Sequence, residues 1–186
     1  ALYDRALLLE LDDVTRAKVH LNIGVTHMGA QEYDKAIASW REALRYDRTY
    51  SEALMNIGIG FQAKEQSDSA RHYWQQSLDV NEEFVGARMA LARLAVAESR
   101  LADARYQDHA ILSAGVQDPR VLAELAFVYE REDDFDTAVT YYEQALELAP
   151  DANEIRASMA IVKNKIQDYE AARLEKALRS IPGVVE

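Results

Sequence analysis

The chain has no cysteine and only three prolines and seven glycines among its 186 residues. The lack of cysteine excludes a disulfide framework and a thiolate metal site, and it suits a reducing or an oxidising compartment equally. The chain is not expected to be disordered, because 49% of its residues are hydrophobic and can supply an extended core. We take the cytoplasm as the first expectation for its location and the periplasm as the alternative.

Long apolar runs and positive charge are also scarce. No run of apolar residues is long enough to cross a bilayer, so direct membrane insertion is not expected. The formal net charge is −11, which argues against a protein that binds the phosphate backbone of nucleic acids. The sequence begins without a methionine or a signal peptide, and we expect it to be a piece of a longer protein.

What the chain does have is an internal repeat of 34 residues, which is clearest in the stretch 119–152. A fixed period of this length is typical of stacked supersecondary units, each of which buries its apolar face against its neighbours. Small residues form two of the periodic series: Gly24, Gly58, Ala92, Ala126 and Ala160, and Ala36, Ala70, Ala104, Ala138 and Ala172.

The stretch 119–152 contains two amphipathic runs separated by a short acidic turn at 132–134. A turn of this length joins two helices only as an antiparallel pair, and Pro150 prevents the second helix from continuing. Apolar residues follow helical spacing in both runs: Leu122, Leu125, Ala126 and Tyr129 in the first, and Phe135, Ala138, Tyr142, Ala145 and Leu146 in the second.

These residues resemble the tetratricopeptide repeat (TPR), and the resemblance covers nearly the whole chain. The positions that match the family pattern are Leu122, Leu125, Ala126, Tyr129, Ala138, Tyr142, Ala145 and Pro150. The resemblance implies an all-α fold, a right-handed superhelical solenoid of antiparallel helix pairs with about eleven helices. It also implies a non-catalytic protein whose partners are proteins or peptides.

We predict a single solenoid domain over residues 1–186, made of a lone helix followed by five repeat units. The lone helix of a truncated repeat spans 1–16, and the units span 17–50, 51–84, 85–118, 119–152 and 153–186. The last unit is a degraded repeat or a capping helix pair, because Lys163 and Lys176 stand where aromatic residues belong.

The unit 85–118 also departs from the repeat pattern. Ala95 and Asp108 replace its aromatic residues, so we expect it to be the least stable unit. We also expect its second helix to end early, near Ser113, with Gly115 as the C-terminal cap.

No pattern in the sequence indicates an enzyme, a metal site or a cofactor. There is no P-loop, dinucleotide fingerprint or nucleophile motif, and the acidic run 130–136 lacks the ligand spacing of a calcium loop. His20 and His27 would lie about 10 Å apart along one helix, which is too far to share a metal without another helix. Because Leu54 and Phe61 follow them one period later, we expect both histidines in the core.

The resemblance places the first helix of each repeat on the concave face of the solenoid. The inward positions there are mostly apolar, and an exposed strip of this kind usually marks a binding surface. Asn22 and Asn56 could bracket the backbone of an extended peptide. The predicted groove for a hydrophobic or amphipathic protein segment consists of Leu21, Asn22, Val25, Met55, Asn56, Ile59, Met89, Arg93, Arg120 and Phe127.

Several alternatives stay open for these positions. Terminal helices or tight curvature could cover Leu21, Met55 and Met89. Asn22 and Asn56 could simply face water. Arg93 either forms an ion pair with Glu124 or joins Arg120 in holding an acidic group of the ligand.

A second possible function is structural self-assembly, through the end faces, the convex surface or the terminal helices. One family function, capture of the C-terminal carboxylate of a heat-shock protein, is not expected here. At the positions that correspond to the family's carboxylate clamp, only Asn56 fits, and the others are Leu21, Val25, Gly86 and Ala90.

Overall fold

In the computed structural model, residues 11–179 are described, and this range contains nine α-helices and no strand. The prediction of an all-α fold of helix pairs is therefore confirmed, with nine helices in the described range where eleven were expected over the whole chain. The predicted lone helix lies mostly outside that range. The helices are α1 (Asp13–Gly29), α2 (Tyr33–Tyr46), α3 (Ser51–Ala63), α4 (Ser67–Val80), α5 (Val85–Ala97), α6 (Leu101–Ser113), α7 (Pro119–Arg131), α8 (Phe135–Leu148) and α9 (Asn153–Arg179).

The chain divides into two compact units, one up to Glu98 and the other from Ser99 onward. In the first unit α1 packs on α2, α2 on α3, α3 on α4 and α4 on α5. In the second unit α6 packs on α7, α7 on α8 and α8 on α9. The single solenoid domain over 1–186 stays a prediction.

The turns inside the helix pairs share one backbone feature at the repeat spacing. Gln31, Glu65, Ser99 and Asp133, each 34 residues from the next, have φ angles of 59–60° in the left-handed region. This conformation lets the chain reverse at once after a helix, because the following amide can bond back to the last turn. The amide of Glu32 donates to the carbonyl of His27 at 2.9 Å, and Gln66 and Asp134 repeat this bond in their own turns.

Two tryptophans organise the core of the first unit. The Trp40 indole Nε1 donates to the carbonyl of Leu21 at 3.1 Å, and Trp74 makes the same bond to the carbonyl of Met55. The indoles fit because Gly24 and Gly58 lie beneath them, where an added Cβ would collide with the ring. These contacts fix the angle and separation of the paired helices.

The start of α1 and the end of α6 can be compared with the boundaries predicted from the sequence. Helix α1 begins at Asp13, four residues before the predicted start of its repeat at Ala17, because the Asp12 carboxylate accepts the amide of Thr15 at 2.8 Å and caps the helix there. Helix α6 ends at Ser113 and Gly115 has a φ of +80°. The predicted early end of this helix is therefore confirmed.

The expected helix pair at the end of the chain is wrong, since α9 is one helix of 27 residues. Gln167 stands where the repeat would turn, 34 residues after Asp133, yet it lies inside the helix. A second helix would have to pack through Lys176 and Arg179, which occupy the positions of Tyr142 and Ala145 in the preceding repeat. Burying two cations costs more than leaving the helix straight in water.

Candidate partner-binding surface

The first helices of the repeats carry the predicted groove residues, and one row of them is exposed. Val25 of α1 is 52% exposed and Phe127 of α7 is 37% exposed, while Ile59 of α3 is half-buried. Arg93, the member of this row on α5, also has an exposed side chain. Val25 and Ile59 therefore lie at equivalent positions of α1 and α3 in the first unit, with apolar surface open to solvent.

The other apolar row is largely used in packing. Leu21 is half-buried against the cluster that contains Trp40 and Ile57. Met55 is half-buried against the cluster that contains Trp74, and its Cε lies 3.8 Å from where a Cβ of residue 86 would be. Met89 retains only 9% exposure and can contribute little to a contact surface. Much of this row is therefore used in packing between the helices of the first unit, which differs from the expected cover by terminal helices or curvature.

The two asparagines differ in exposure, but the side-chain amide of each is available to a ligand. Asn22 is exposed and Asn56 is half-exposed. Within residues 11–179 neither side chain makes a hydrogen bond, although the backbone carbonyl of Asn22 accepts the Thr26 hydroxyl at 3.0 Å. Each amide offers two donor hydrogens and an acceptor oxygen to a ligand.

Arg120 is already engaged at the start of α7. Its Nη2 lies 2.6 Å from Asp118 Oδ2 and its Nε lies 3.0 Å from Oδ1, while the Arg120 amide donates to the same carboxylate at 2.8 Å. The hydrogen bonds to Asp118 raise the pKa of Arg120 above its usual value. An acidic ligand group would have to compete with Asp118, so the arrangement does not favour Arg120 as a ligand-binding cation. The pairing expected for Arg93 stays a prediction.

Both histidines of α1 are half-buried and have partners other than a metal. The His20 ring stacks on Tyr46 with centroids 5.6 Å apart, and His27 Nδ1 lies 2.6 Å from Glu32 Oε2. Burial lowers the pKa of His20. Among the described residues no cluster of metal-binding side chains occurs, and none of the described helices could span a membrane.

A three-residue cluster that joins two successive repeats was not predicted from the sequence. Phe61 and Tyr73 stack at 5.5 Å, and the Arg41 guanidinium lies 5.7 Å from the Phe61 centroid. The same three positions occur 68 residues later, where Tyr129 and Tyr141 stack at 5.5 Å beside His109. The spacing of 68 residues is a signal that the sequence contains, and it marks these residues as contacts that join neighbouring repeats.

The second unit also has an open pocket of about 470 Å³ that the sequence analysis did not predict. It lies between the loop after α6 and the last turn of α8, with Leu112, Leu122 and Leu148 among its lining residues. Asp118 replaces, at the end of this loop, the aromatic residues Tyr50 and Phe84 of earlier repeats. The pocket is lined by apolar and amide side chains with one carboxylate, that of Glu147, and this set indicates no particular reaction.

Comparisons with known proteins agree on one architecture. A family model described as tetratricopeptide repeat matches residues 17–50 and 119–152, and a second model with the same description matches residues 56–116. No protein with a curated description is significantly similar to the chain.

Several solved structures resemble the chain. MamA from Desulfovibrio magneticus RS-1 (residue 41 to the end) is 16% identical, with a TM-score of 0.73 over 87% of this chain and 92% of that one. PilF from Pseudomonas aeruginosa is 25% identical, with a TM-score of 0.67 over 85% and 71% of the two chains. YrrB, described as a TPR protein with an unusual peptide-binding site, is 20% identical, with a TM-score of 0.66 over 84% and 79%. For MamA and YrrB these identities show a shared fold.

Proposed function

Because the chain belongs to the tetratricopeptide repeat family, we propose that it is a non-catalytic module that binds a hydrophobic or amphipathic protein segment on the first helices of its repeats. Members of this fold serve as interaction modules, and the structurally similar YrrB is described as having a peptide-binding site. The proposal for this chain concerns the first unit, where α1 and α3 carry most of the candidate residues.

The observation that supports this surface is the open apolar row next to free amides. Val25 is 52% exposed and Ile59 is half-buried, and neither belongs to a core cluster of the described residues. Asn22 and Asn56 precede them by three residues, so each amide lies one helical turn from the apolar side chain. An exposed apolar row with adjacent amides suits a peptide that offers both side chains and backbone groups.

Binding would combine the burial of apolar side chains with hydrogen bonds that fix the register of the peptide. Full burial of a valine or isoleucine side chain contributes about 1.5–3 kcal/mol, and the Asn22 and Asn56 amides would fix the peptide through its backbone. The formal net charge of −11 favours segments that carry basic residues beside the apolar ones, because opposite charge speeds the encounter.

Selection of peptides from a displayed random library tests the proposal. The immobilised full chain is expected to enrich apolar sequences with flanking basic residues. The double variant Val25→Glu, Ile59→Glu is expected to bind the enriched peptides at least about tenfold more weakly, a loss of about 1.4 kcal/mol. Fluorescence anisotropy with labelled peptides gives the dissociation constants.

A matched control separates the groove from general charge effects. Ala38 of α2 and Val80 of α4 are exposed and lie on second helices, so Ala38→Glu, Val80→Glu adds the same charge away from the row. Peptide binding that is equally weakened in both double variants, or in neither, would contradict the proposed surface. Circular dichroism of each variant checks that the helices are retained.

A further inference from the structure

Helix α9 has an exposed stripe that no other described helix covers. Its other side packs on α8 through residues such as Met159, Val162 and Ile166. The stripe follows alternating steps of three and four residues, with Gln167 at its centre, and all its members are exposed. The other members are Ala157, Ala160, Asn164, Ala171, Leu174 and Leu178, of which Leu174 is 62% and Leu178 43% exposed.

The repeat itself shows what kind of element this stripe accommodates. Ala160 is equivalent to Gly24, Gly58 and Ala126, which are buried because the second helix of the same repeat packs over them. In α9 the chain does not turn at Gln167, so the Ala160 position is open to solvent. This surface therefore has the shape that accepts a helix. Because α9 is straight, its own C-terminal half cannot fold back to provide that helix.

We propose that α9 is a dimerisation helix, which binds the same stripe of α9 in a second copy of this chain in antiparallel orientation. The steps of three and four residues are those of a coiled-coil seam, in which two helices interlock. The second copy then provides the helix that the repeat lacks, as in an exchange of equivalent elements between two chains. The inference is independent of peptide binding on α1 and α3.

The antiparallel orientation follows from the sizes of the side chains along the stripe. Its N-terminal end carries the small residues Ala157 and Ala160, and its C-terminal end carries the large Leu174 and Leu178. Antiparallel pairing about Gln167 sets each leucine opposite an alanine and Asn164 opposite Ala171. A parallel pair would place leucine on leucine at one end and leave the alanine end poorly filled.

The charges of α9 also permit a second copy to approach. The helix carries six lysines and arginines against four acidic residues, whereas the whole chain has a formal net charge of −11. Lys163 and Glu170 border the stripe on one side, and antiparallel pairing sets them opposite each other twice. Lys163 also binds Glu143 of α8 at 3.0 Å, so Glu170 of the second copy would be a further acceptor for its ammonium group, which has three donor hydrogens.

Folding back within one chain would use a different face of the same residues. In the other repeats the second helix packs through positions that correspond to Ala172, Lys176 and Arg179. The apolar residues of the C-terminal half, Leu174 and Leu178, lie instead in line with Ala157 and Ala160 along the straight helix. The position of these leucines around the helix axis therefore favours a straight helix that binds a partner over an internal helical hairpin.

Molar mass measured over a range of concentrations tests the dimer. Light scattering of the full chain is expected to rise from 21.0 kDa towards twice that value. Leu174→Glu, Leu178→Glu is expected to weaken dimerisation by at least about a hundredfold without loss of helical signal, because both side chains are exposed. The control Tyr169→Glu, Ala172→Glu adds the same charge outside the stripe and is expected to leave the dimer intact.

Single cysteines test the orientation, since the chain has none of its own. In the antiparallel pair, Gln167→Cys lies near the two-fold axis and forms a disulfide-linked dimer, whereas the two copies of Leu178→Cys are about 30 Å apart and do not. Linkage through Leu178→Cys would overturn the antiparallel arrangement. A wild-type monomer at all concentrations, or a dimer unaffected by Leu174→Glu, Leu178→Glu, would overturn the interface itself.

Discussion

The paired sizes of two residues determine how closely the helices of each repeat approach. Gly24 lies against Trp40 and Gly58 against Trp74, while Ala126 shares a buried cluster with Tyr142. Glycine lies against the larger tryptophan ring and alanine against the smaller tyrosine ring, because an indole needs the space that even a methyl group would occupy. The periodic small residues were visible in the sequence, but their matching to the ring sizes emerged only with the packing.

Gly58→Leu tests this size matching. We expect it to lower the free energy of unfolding by about 1–3 kcal/mol through overpacking, because the new side chain displaces the Trp74 indole and breaks its bond to the Met55 carbonyl. Urea titration followed by tryptophan fluorescence measures the change. Gly29→Leu is the matched control, since nothing lies within 4 Å of a Cβ at that position. Equal midpoints for the two variants would contradict the size matching.

For the groove residues, the sequence predicts which helix carries each side chain but not how exposed that side chain is. The repeat spacing placed Val25, Ile59 and Met89 on first helices, but it could not say how much of each is used in packing. Met89 is only 9% exposed while Val25 is 52% exposed. Exposure depends on how closely each helix approaches its neighbours, and that separation depends on side chains elsewhere in the chain.

At the scale of helices, most boundaries followed from the repeat spacing and from capping residues. Helix α6 ends at Ser113 as predicted from Gly115. Helix α9 could not be predicted, because Gln167-Asp168-Tyr169 closely resembles the turn at Gln31-Glu32-Tyr33. The turn at Gln31 forms because Trp40 and Ala36 give α2 an apolar face to pack, whereas the C-terminal half of α9 has Lys176 at the position of Trp40.

Helix α6 is expected to be the least protected of the helices in the helix pairs. The buried residues of α6 are Ala104, Asp108 and Ile111, whereas α4 buries Trp74 and Leu78 besides its small residues. Fewer buried apolar contacts lower the free energy of local opening. Hydrogen exchange measured by mass spectrometry is expected to be faster in α6 than in α4. Equal or slower exchange in α6 would show that Asp108 stabilises it as well as an aromatic residue would.

On the scale of the whole chain, the excess of acidic residues opposes folding, and exposed ion pairs offset this only weakly. Pairs such as Lys64–Asp34 and Arg71–Glu98 join neighbouring repeats, but partly exposed pairs contribute only about 0–1 kcal/mol each. The formal net charge of −11 produces repulsion that compaction increases.

Sodium chloride is therefore expected to stabilise the chain. Raising its concentration from about 0.01 M to about 0.2 M shortens the screening length from about 30 Å to below 10 Å, which weakens the net repulsion more than the short-range pairs. The melting temperature, followed by circular dichroism, is expected to rise across this range. A fall would mean that the ion pairs between repeats dominate. Potassium glutamate provides a comparison in which chloride binding plays no part.

The four turn residues with left-handed backbone conformation are candidates for substitutions that raise thermal stability. Gln31, Glu65, Ser99 and Asp133 adopt φ angles of 59–60°, which cost a residue with a side chain about 1–2 kcal/mol and cost glycine almost nothing. Glycine would recover part of this cost at each turn, less the entropy it adds to the unfolded chain. The turns at Gln31, Glu65 and Asp133 close through hydrogen bonds to their own helices, so we expect the gains at these three positions to add. The chain could then be stabilised one repeat at a time.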